Sequence, residues 1–217
     1  MNQPKLTTTE KVLIEAIYEL FYSSQDASGK GIVTLYEISK VFYGKLPSAN
    51  IMRQVKQNLI NMSEKEFTAG GGKVISVSFK RDTNIRRGEI VDIILNPLLV
   101  EQLKPFFKNR RKGAIKRLRD AMYLAKGNIQ FTYSMYELRN YINGFIIEGY
   151  NRHLIGVDLL CNMFEPYKMN RGEKGRAKKI VEQAIRVCKE LGIIQTAQII
   201  EKDGKPKYYF TLGDKTF

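Results

Sequence analysis

Tryptophan is absent from the 217 residues, histidine occurs once and cysteine twice. A single histidine, His153, cannot supply the paired-histidine metal motif of a rolling-circle nickase. Two distant cysteines and one histidine make no zinc site. Cys161 and Cys188 are too few for a disulfide framework. Cys188 falls on the apolar face of a predicted helix, so a buried free thiol and a reducing cytoplasm are expected. No G-x-x-x-x-G-K-[ST] run occurs, which argues against a P-loop ATPase, and GGGK at 70–73 reads as a turn. The carboxylates are scattered, without a catalytic cluster. No stretch approaches the roughly 20 apolar residues of a membrane span. The opening MNQPKLTTTEK lacks the apolar core of a signal peptide. The expectation from these shortages is a cytoplasmic protein that is no enzyme, uses no cofactor or metal and spans no membrane.

Acidic residues are the other shortage. Against 22 Asp and Glu stand 36 Lys and Arg, a net charge of +14. An excess of that size calls for a polyanionic partner, and the candidates are nucleic acid or an anionic membrane surface. The charge is uneven. Residues 1–50 are balanced, with five bases and five acids. Residues 51–100 hold eight bases and five acids, residues 101–150 ten and four, and residues 151–217 thirteen and eight. The densest run, KPFFKNRRKGAIKRLR at 104–119, has eight basic residues and no acid.

Hydrophobic residues make up 43% of the chain, enough for a packed core in one large or two small domains. Residues 9–23 have the period of an amphipathic helix, and Thr7 and Glu10 have capping-box spacing. SQDASGKG reads as a loop. TLYEISKVFYG, from Thr34, reads as a short helix capped by Thr34 and stopped by Gly44. Ser48 caps a third helix, whose apolar stripe is Met52, Val55, Leu59 and Met62. KVISVSFKRD and EIVDIILN read as strands joined by a charged hairpin. PLLVEQLKPFF is a connecting helix, and 109–113 a polar, basic hinge.

The second half repeats this order. AIKRLRDAMYLAKG is a helix, NIQFTY an extended segment, and SMYELRNYING a short helix stopped by Gly144. The stretch 151–165 reads as helical and as an insertion. RGEKGRAKKIVEQAIRVCKELG is a long helix ending at Gly192. IIQTAQIIE and KYYFTL are strands joined by KDGKP, with a strong Asp-Gly hairpin signal. TLYEISKVFYG and SMYELRNYING thus echo each other at matching places. A chance match of two amphipathic helices is the other reading, but the elements around the echo favour a repeat. The predicted fold class is α+β: two tandem winged helix-turn-helix domains, helix-rich, with two-stranded wings, spanning 1–108 and 109–217.

In helix-turn-helix domains the third element enters the major groove. With its apolar stripe inward, helix 48–62 turns Asn50, Arg53, Gln57 and Asn61 outward, with Gln54 and Lys56 on the flanks. Arg can bond guanine through two donors, and Asn or Gln can do so to adenine. A solvated polar face is the commoner fate of such a stripe, although those usually mix Glu with Lys. Helix 173–191 buries Ala177, Ile180, Val181, Ala184, Cys188 and Leu191. It turns Lys179, Gln183 and Arg186 outward, with Arg176 and Lys178 at the sides and Arg171 and Lys174 at its start. Glu182 and Glu190 are also exposed, so the basic N-terminal half is expected to face DNA. Glu173 fits as a complement to the helix dipole. Lys80, Arg81, Arg86 and Arg87 surround the first wing, and Lys202, Lys205 and Lys207 the second. Such residues grip phosphates, or simply keep hairpin tips soluble. Arg110, Arg111, Lys112, Lys116 and Arg117 fit a phosphate track between half-sites, or an exposed helix start.

EIVDIILNPLLVEQLKPFFKNRRKGAIKRLRDAMYL, with SMYELRNYI after it, resembles the initiator proteins of theta-replicating plasmids, the RepA, RepE and Pi-type family. The shared features are an apolar strand ending the first wing, a Leu…Leu…Phe helix, and a second-domain helix with an Arg-Leu pair, here Arg117-Leu118. The chain departs from the pattern where Arg119 replaces the usual Tyr and where 145–170 is long. The resemblance implies a sequence-specific protein that binds double-stranded DNA at origin repeats and recruits host replication proteins. It also implies main recognition through 109–217, and dimerisation or further DNA contacts through 1–108. A transcriptional regulator or phage-encoded DNA-binding factor is the alternative. A nuclease, or an adaptor for an acidic protein, stands behind both.

Overall fold

The computed structural model describes residues 6–23, 29–43, 46–67, 71–80, 89–108, 113–126, 132–214 and 216. It divides into two compact units, residues 1–108 and 109–217.

The first unit runs α1 (Thr8–Ser23), β1 (Lys30–Thr34), α2 (Leu35–Tyr43), α3 (Ala49–Ser63), β2 (Ile75–Lys80), β3 (Ile90–Leu95) and α4 (Pro97–Lys108). The helix starts are chemically marked. The Thr7 amide donates to Glu10 Oε2 at 2.7 Å, and the Glu10 amide donates back to Thr7 Oγ1 at 3.2 Å. The same T-x-x-E box opens α2, through Thr34 and Glu37 at 2.8 and 3.1 Å. Each box satisfies two backbone donors that the first helical turn leaves unpaired. At α3 the Ile51 amide donates to Ser48 Oγ at 3.4 Å.

Val12, Leu13, Ile17, Ile38, Val55, Leu59 and Met62 from the three helices are all fully buried. Burying each such side chain is worth about 1.5–3 kcal/mol against leaving it in water. The sheet completes this core. Its order is β1-β3-β2, antiparallel throughout, with Val91, Ile93 and Ile75 on the covered face. Ile32, Ser76, Ser78 and Lys80 stand on the open face.

The second unit runs α5 (Ala114–Lys126), α6 (Tyr133–Ile147), β4 (Arg152–Gly156), α7 (Val157–Phe164), α8 (Pro166–Asn170), α9 (Lys174–Leu191), β5 (Ile194–Lys202) and β6 (Lys205–Leu212). Its sheet order, β4-β6-β5, is again antiparallel. The long helix α9 packs against α5, α6 and α7 and feeds β5. Its end follows the expected chemistry. Gly192 sits at φ +79°, the Gly192 amide donates to Lys189 O at 2.9 Å, and the Ile193 amide donates to Cys188 O at 3.1 Å. That pair of bonds is a Schellman motif, and the left-handed residue inside it favours glycine. Asp203 and Gly204, at φ 56° and 67°, make the two-residue hairpin turn between β5 and β6.

The structure corrects the sequence reading in four places. First, each strand pair is joined by a third strand, β1 or β4, so the sheets have three strands. β1 lies partly in the expected loop, and its Gly31 lets the Phe21 ring approach where a Cβ would overlap it. Second, 152–156 is strand rather than helix, because Arg152–Gly156 pairs with Lys207–Thr211 of β6. Third, Gly144 does not stop a helix. α6 continues to Ile147, since a mid-helix glycine costs only about 1 kcal/mol and Ile142 and Ile146 are buried on either side of it. Fourth, the stretch 145–170 is not an insertion. It supplies β4 and α7, which stand in the order that β1 and α2 occupy in the first unit.

The echo is corrected with them. α2 follows the first strand of its sheet, whereas α6 precedes the first strand of its own, as α1 does. The counterpart of α2 is α7. Ile38 and Leu138 are nonetheless both fully buried, as their shared helical spacing requires. Gly44 and most of NIQFTY lie outside the described residues, while Thr132 caps α6 by accepting from the Met135 amide at 3.4 Å.

Candidate nucleic-acid interface

α3 carries no acidic residue. Burial of Val55, Leu59 and Met62 fixes its rotation, and Asn50, Arg53, Gln57 and Asn61 then share the exposed face at three- and four-residue spacing. Gln57 Nε2 donates to Asn61 Oδ1 at 2.9 Å, and Tyr43 Oη donates to Gln54 Oε1 at 3.3 Å. Gln57 and Asn61 are thus tied to each other on the exposed face, one turn and two turns beyond Arg53.

Lys56 stands apart from that row. Its Nζ lies 2.6 Å from both carboxylate oxygens of Glu89 and 4.9 Å from the centre of the Phe79 ring. It ties α3 to the two strands behind it. Lys80 is exposed at the end of β2, while Arg81, Arg86 and Arg87 lie outside the described residues. So do Arg110, Arg111 and Lys112. Lys116 and Arg117 are exposed on α5.

In the second unit Lys174, Arg176, Lys179, Gln183 and Arg186 are exposed along α9. Lys178 is half-buried, 3.9 Å from Glu182 one turn on. Ile180, expected in the core, is only half-buried, while Ile185 and Val187 are buried instead. α9 is covered on three sides, so its apolar stripe is wider than a single-sided helix needs. Ile180 and Gln183 face a shallow hollow that Ser134, Glu165 and Lys168 also line. Ser134 Oγ donates to Glu165 Oε1, and Lys168 Nζ lies 2.6 Å from Glu165 Oε2, so Glu165 pins α6 to α8.

Arg171 sits in the turn before α9. Its Nη1 donates to Tyr167 Oη at 2.9 Å, and its Nε lies 3.3 Å from Glu173 Oε1. Arg176 Nη1 lies 3.1 Å from Glu173 Oε2, and Lys174 Nζ 3.5 Å from Asp158 Oδ2. At the far end, Lys202 and Lys205 are exposed on either side of the Asp203-Gly204 turn. Lys207 is engaged with Asp203 at 2.7 Å, which holds the Asp203 carboxyl below its usual range. Glu173 was expected at the α9 start as a complement to the helix dipole, whereas Asp158 was not expected there. Asp158 and Glu173 are fifteen positions apart, and only the turn through α8 makes them neighbours of the same basic cluster.

The two cysteines are buried and the histidine is packed among aromatic rings. Cys161 and Cys188 are both free and buried. Burial pushes the Cys188 thiol up to about 12 and raises that of Cys161. His153 stacks on Phe145 at 4.0 Å, and its Nε2 lies 2.8 Å from Tyr141 Oη. Burial lowers its pKa below the ordinary 6.5. Among the described residues, no group of three or more His, Cys, Asp or Glu could hold a metal ion, and no helix is long and apolar enough to cross a membrane.

No protein-family model matches the sequence, and no curated protein matches it. Among solved structures, the chain is similar to the crystal structure of selenomethionine derivatives of domains 2 and 3 of RctB. The TM-score is 0.57 at 12% identity, over 95% of this chain and 82% of that one. At that identity the likeness is one of fold: a mixed α+β chain with small antiparallel sheets, similar to RctB domains 2 and 3.

Proposed function

We propose that this chain binds double-stranded DNA sequence-specifically, through two winged-helix units, as a replication initiator. One observation carries the reading. In each unit a strand and a helix precede a longer helix, α3 or α9, with the short α8 added before α9, and an antiparallel strand pair follows. The outward faces of those two helices present Asn50, Arg53 and Gln57, and Lys179, Gln183 and Arg186. These side chains can read base edges in a major groove, and the exposed lysines near the hairpins can grip phosphates. The sequence resemblance to plasmid initiators supports the initiator role over a general regulator, and the likeness to RctB domains 2 and 3 adds a shared fold. Dimerisation through residues 1–108 and recruitment of host replication proteins belong to the same proposal and rest on the sequence resemblance. The protein acts by binding, without catalysis.

Footprinting on the DNA that flanks the gene tests this reading. The expected result is protection of tandem repeats of about 20 base pairs, near two helical turns. Binding should weaken steeply with salt, because each neutralised phosphate releases counterions. Duplex affinity that ignores salt would refute DNA binding. Protection of a promoter without repeats would replace the initiator with a regulator, and magnesium-dependent cleavage by the pure protein would make it an enzyme.

A further inference from the structure

The start of α9 holds an acid where a DNA-facing surface should be most basic. Glu173 lies between Arg171 and Arg176 and gives one carboxylate oxygen to each, at 3.3 and 3.1 Å. The carboxylate makes no side-chain capping bond to the helix, and the Glu173 backbone carbonyl accepts from the Arg176 and Ala177 amides. It is thus spent on the two arginines, which are 59% and 75% exposed, while Glu173 itself is 27% exposed. Arg171 is fixed independently, because its guanidinium also bonds Tyr167 Oη and lies 5.4 Å from that ring's centre. The result is a fork of two guanidinium groups closed on an acceptor-only anion, with Arg171 held in place by Tyr167 and Arg176 by Glu173 itself. Guanidinium groups bind carboxylate and phosphate with the same donor geometry.

We propose that Glu173 is an intramolecular stand-in for a DNA phosphate. It occupies the seat formed by Arg171 and Arg176 in the free protein, and a backbone phosphate must displace it on binding. This rests on the DNA-binding reading above and adds a specificity-determining residue to it. The carboxylate weakens binding to arbitrary sequence, so stable complexes need the base contacts of α9 as well.

The test is Glu173→Gln in the full chain, titrated against a labelled duplex of arbitrary sequence over a range of salt. The substitution keeps the side chain's size and frees both arginines. One additional phosphate contact should steepen the slope of log K against log salt by about 0.9, and tighten binding about eightfold at ~0.1 M salt. Adding Arg171→Gln to this variant should abolish most of the gain, because the two sites share one partner. Glu190→Gln makes the same charge change about 25 Å along the helix, beyond the Debye length of about 10 Å, and should reproduce little of it. An unchanged slope and affinity in Glu173→Gln, with an unchanged fold by circular dichroism, would overturn the proposal and leave Glu173 as a partner of the helix dipole. Equal gains from Glu190→Gln would also overturn it, by showing a general charge effect. A wild-type protein that fails to bind duplex would instead overturn the DNA reading itself.

Discussion

Arg53 and Lys56 lie three residues apart on α3, in different surroundings. Arg53 is exposed on the amide-bearing face. Lys56 is two-thirds covered and held by Glu89 and Phe79. Replacing Lys56 with Ala removes a partly exposed ion pair, worth up to about 1 kcal/mol. It also removes a cation–ring contact worth about 0.5–1 kcal/mol. The expected loss of stability is about 0.5–2 kcal/mol. In urea, with a slope of about 2 kcal/mol/M, that moves the unfolding midpoint down by roughly 0.3–1 M. Duplex affinity should stay close to wild type. Arg53→Ala should do the reverse. An exposed side chain away from the core changes stability by no more than about 0.5 kcal/mol. If it reads a base, its loss costs about 1–3 kcal/mol of specific affinity, roughly five- to 150-fold. Urea titration by circular dichroism and anisotropy titration of the footprinted duplex measure the two quantities on each variant. If Lys56→Ala loses affinity as Arg53→Ala does, with an unmoved urea midpoint, Lys56 faces DNA and the role of its ion pair is misjudged. If Arg53→Ala lowers the midpoint without touching affinity, the outward face of α3 is only solvated surface.

Two further outcomes follow from buried groups. His153 has a folded pKa below 6.5, so its neutral form is favoured by folding. Its contribution to stability is complete above pH 6.5 and is lost as the pH falls through the folded pKa; His153→Gln should flatten urea midpoints measured across that range, and an unchanged profile would refute it. Cys188, raised to about 12 and fully buried, should resist alkylation by iodoacetamide at neutral pH in the folded protein and react promptly in denaturant. Rapid labelling of Cys188 in the native state would contradict its burial.

Local chemistry in the sequence was enough to place most elements. The T-x-x-E box at Thr7, the caps at Thr34 and Ser48, Gly192 after α9 and Asp203-Gly204 in the hairpin each act within a few residues, so each was legible. The outward side chains of α3 were legible too, because one apolar stripe fixes a helix's rotation. The rest depended on partners distant in sequence. KGIVT and RHLIG are too short to show a convincing alternation, and they become strands because β3 and β6 offer paired edges. Ile180 is only half-buried where burial was expected, and Ile185 and Val187 join the buried set, because α9 has neighbours on three sides. Lys56 looked free until β2 and β3 brought Phe79 and Glu89 to it.

By itself the sequence determined a strongly basic protein with little reactive chemistry, and two helices with outward faces suited to DNA. It also suggested a repeat, from TLYEISKVFYG and SMYELRNYING. Only the tertiary structure decided what repeats: helix, strand, helix, long helix and strand pair, with α7 rather than α6 standing for α2. The physical reason is one of range. Capping and helical periodicity are set by neighbours in the chain, whereas strand pairing is set by whichever edge the fold brings alongside. Similar helix sequences can therefore serve different places in two units that share one order of elements.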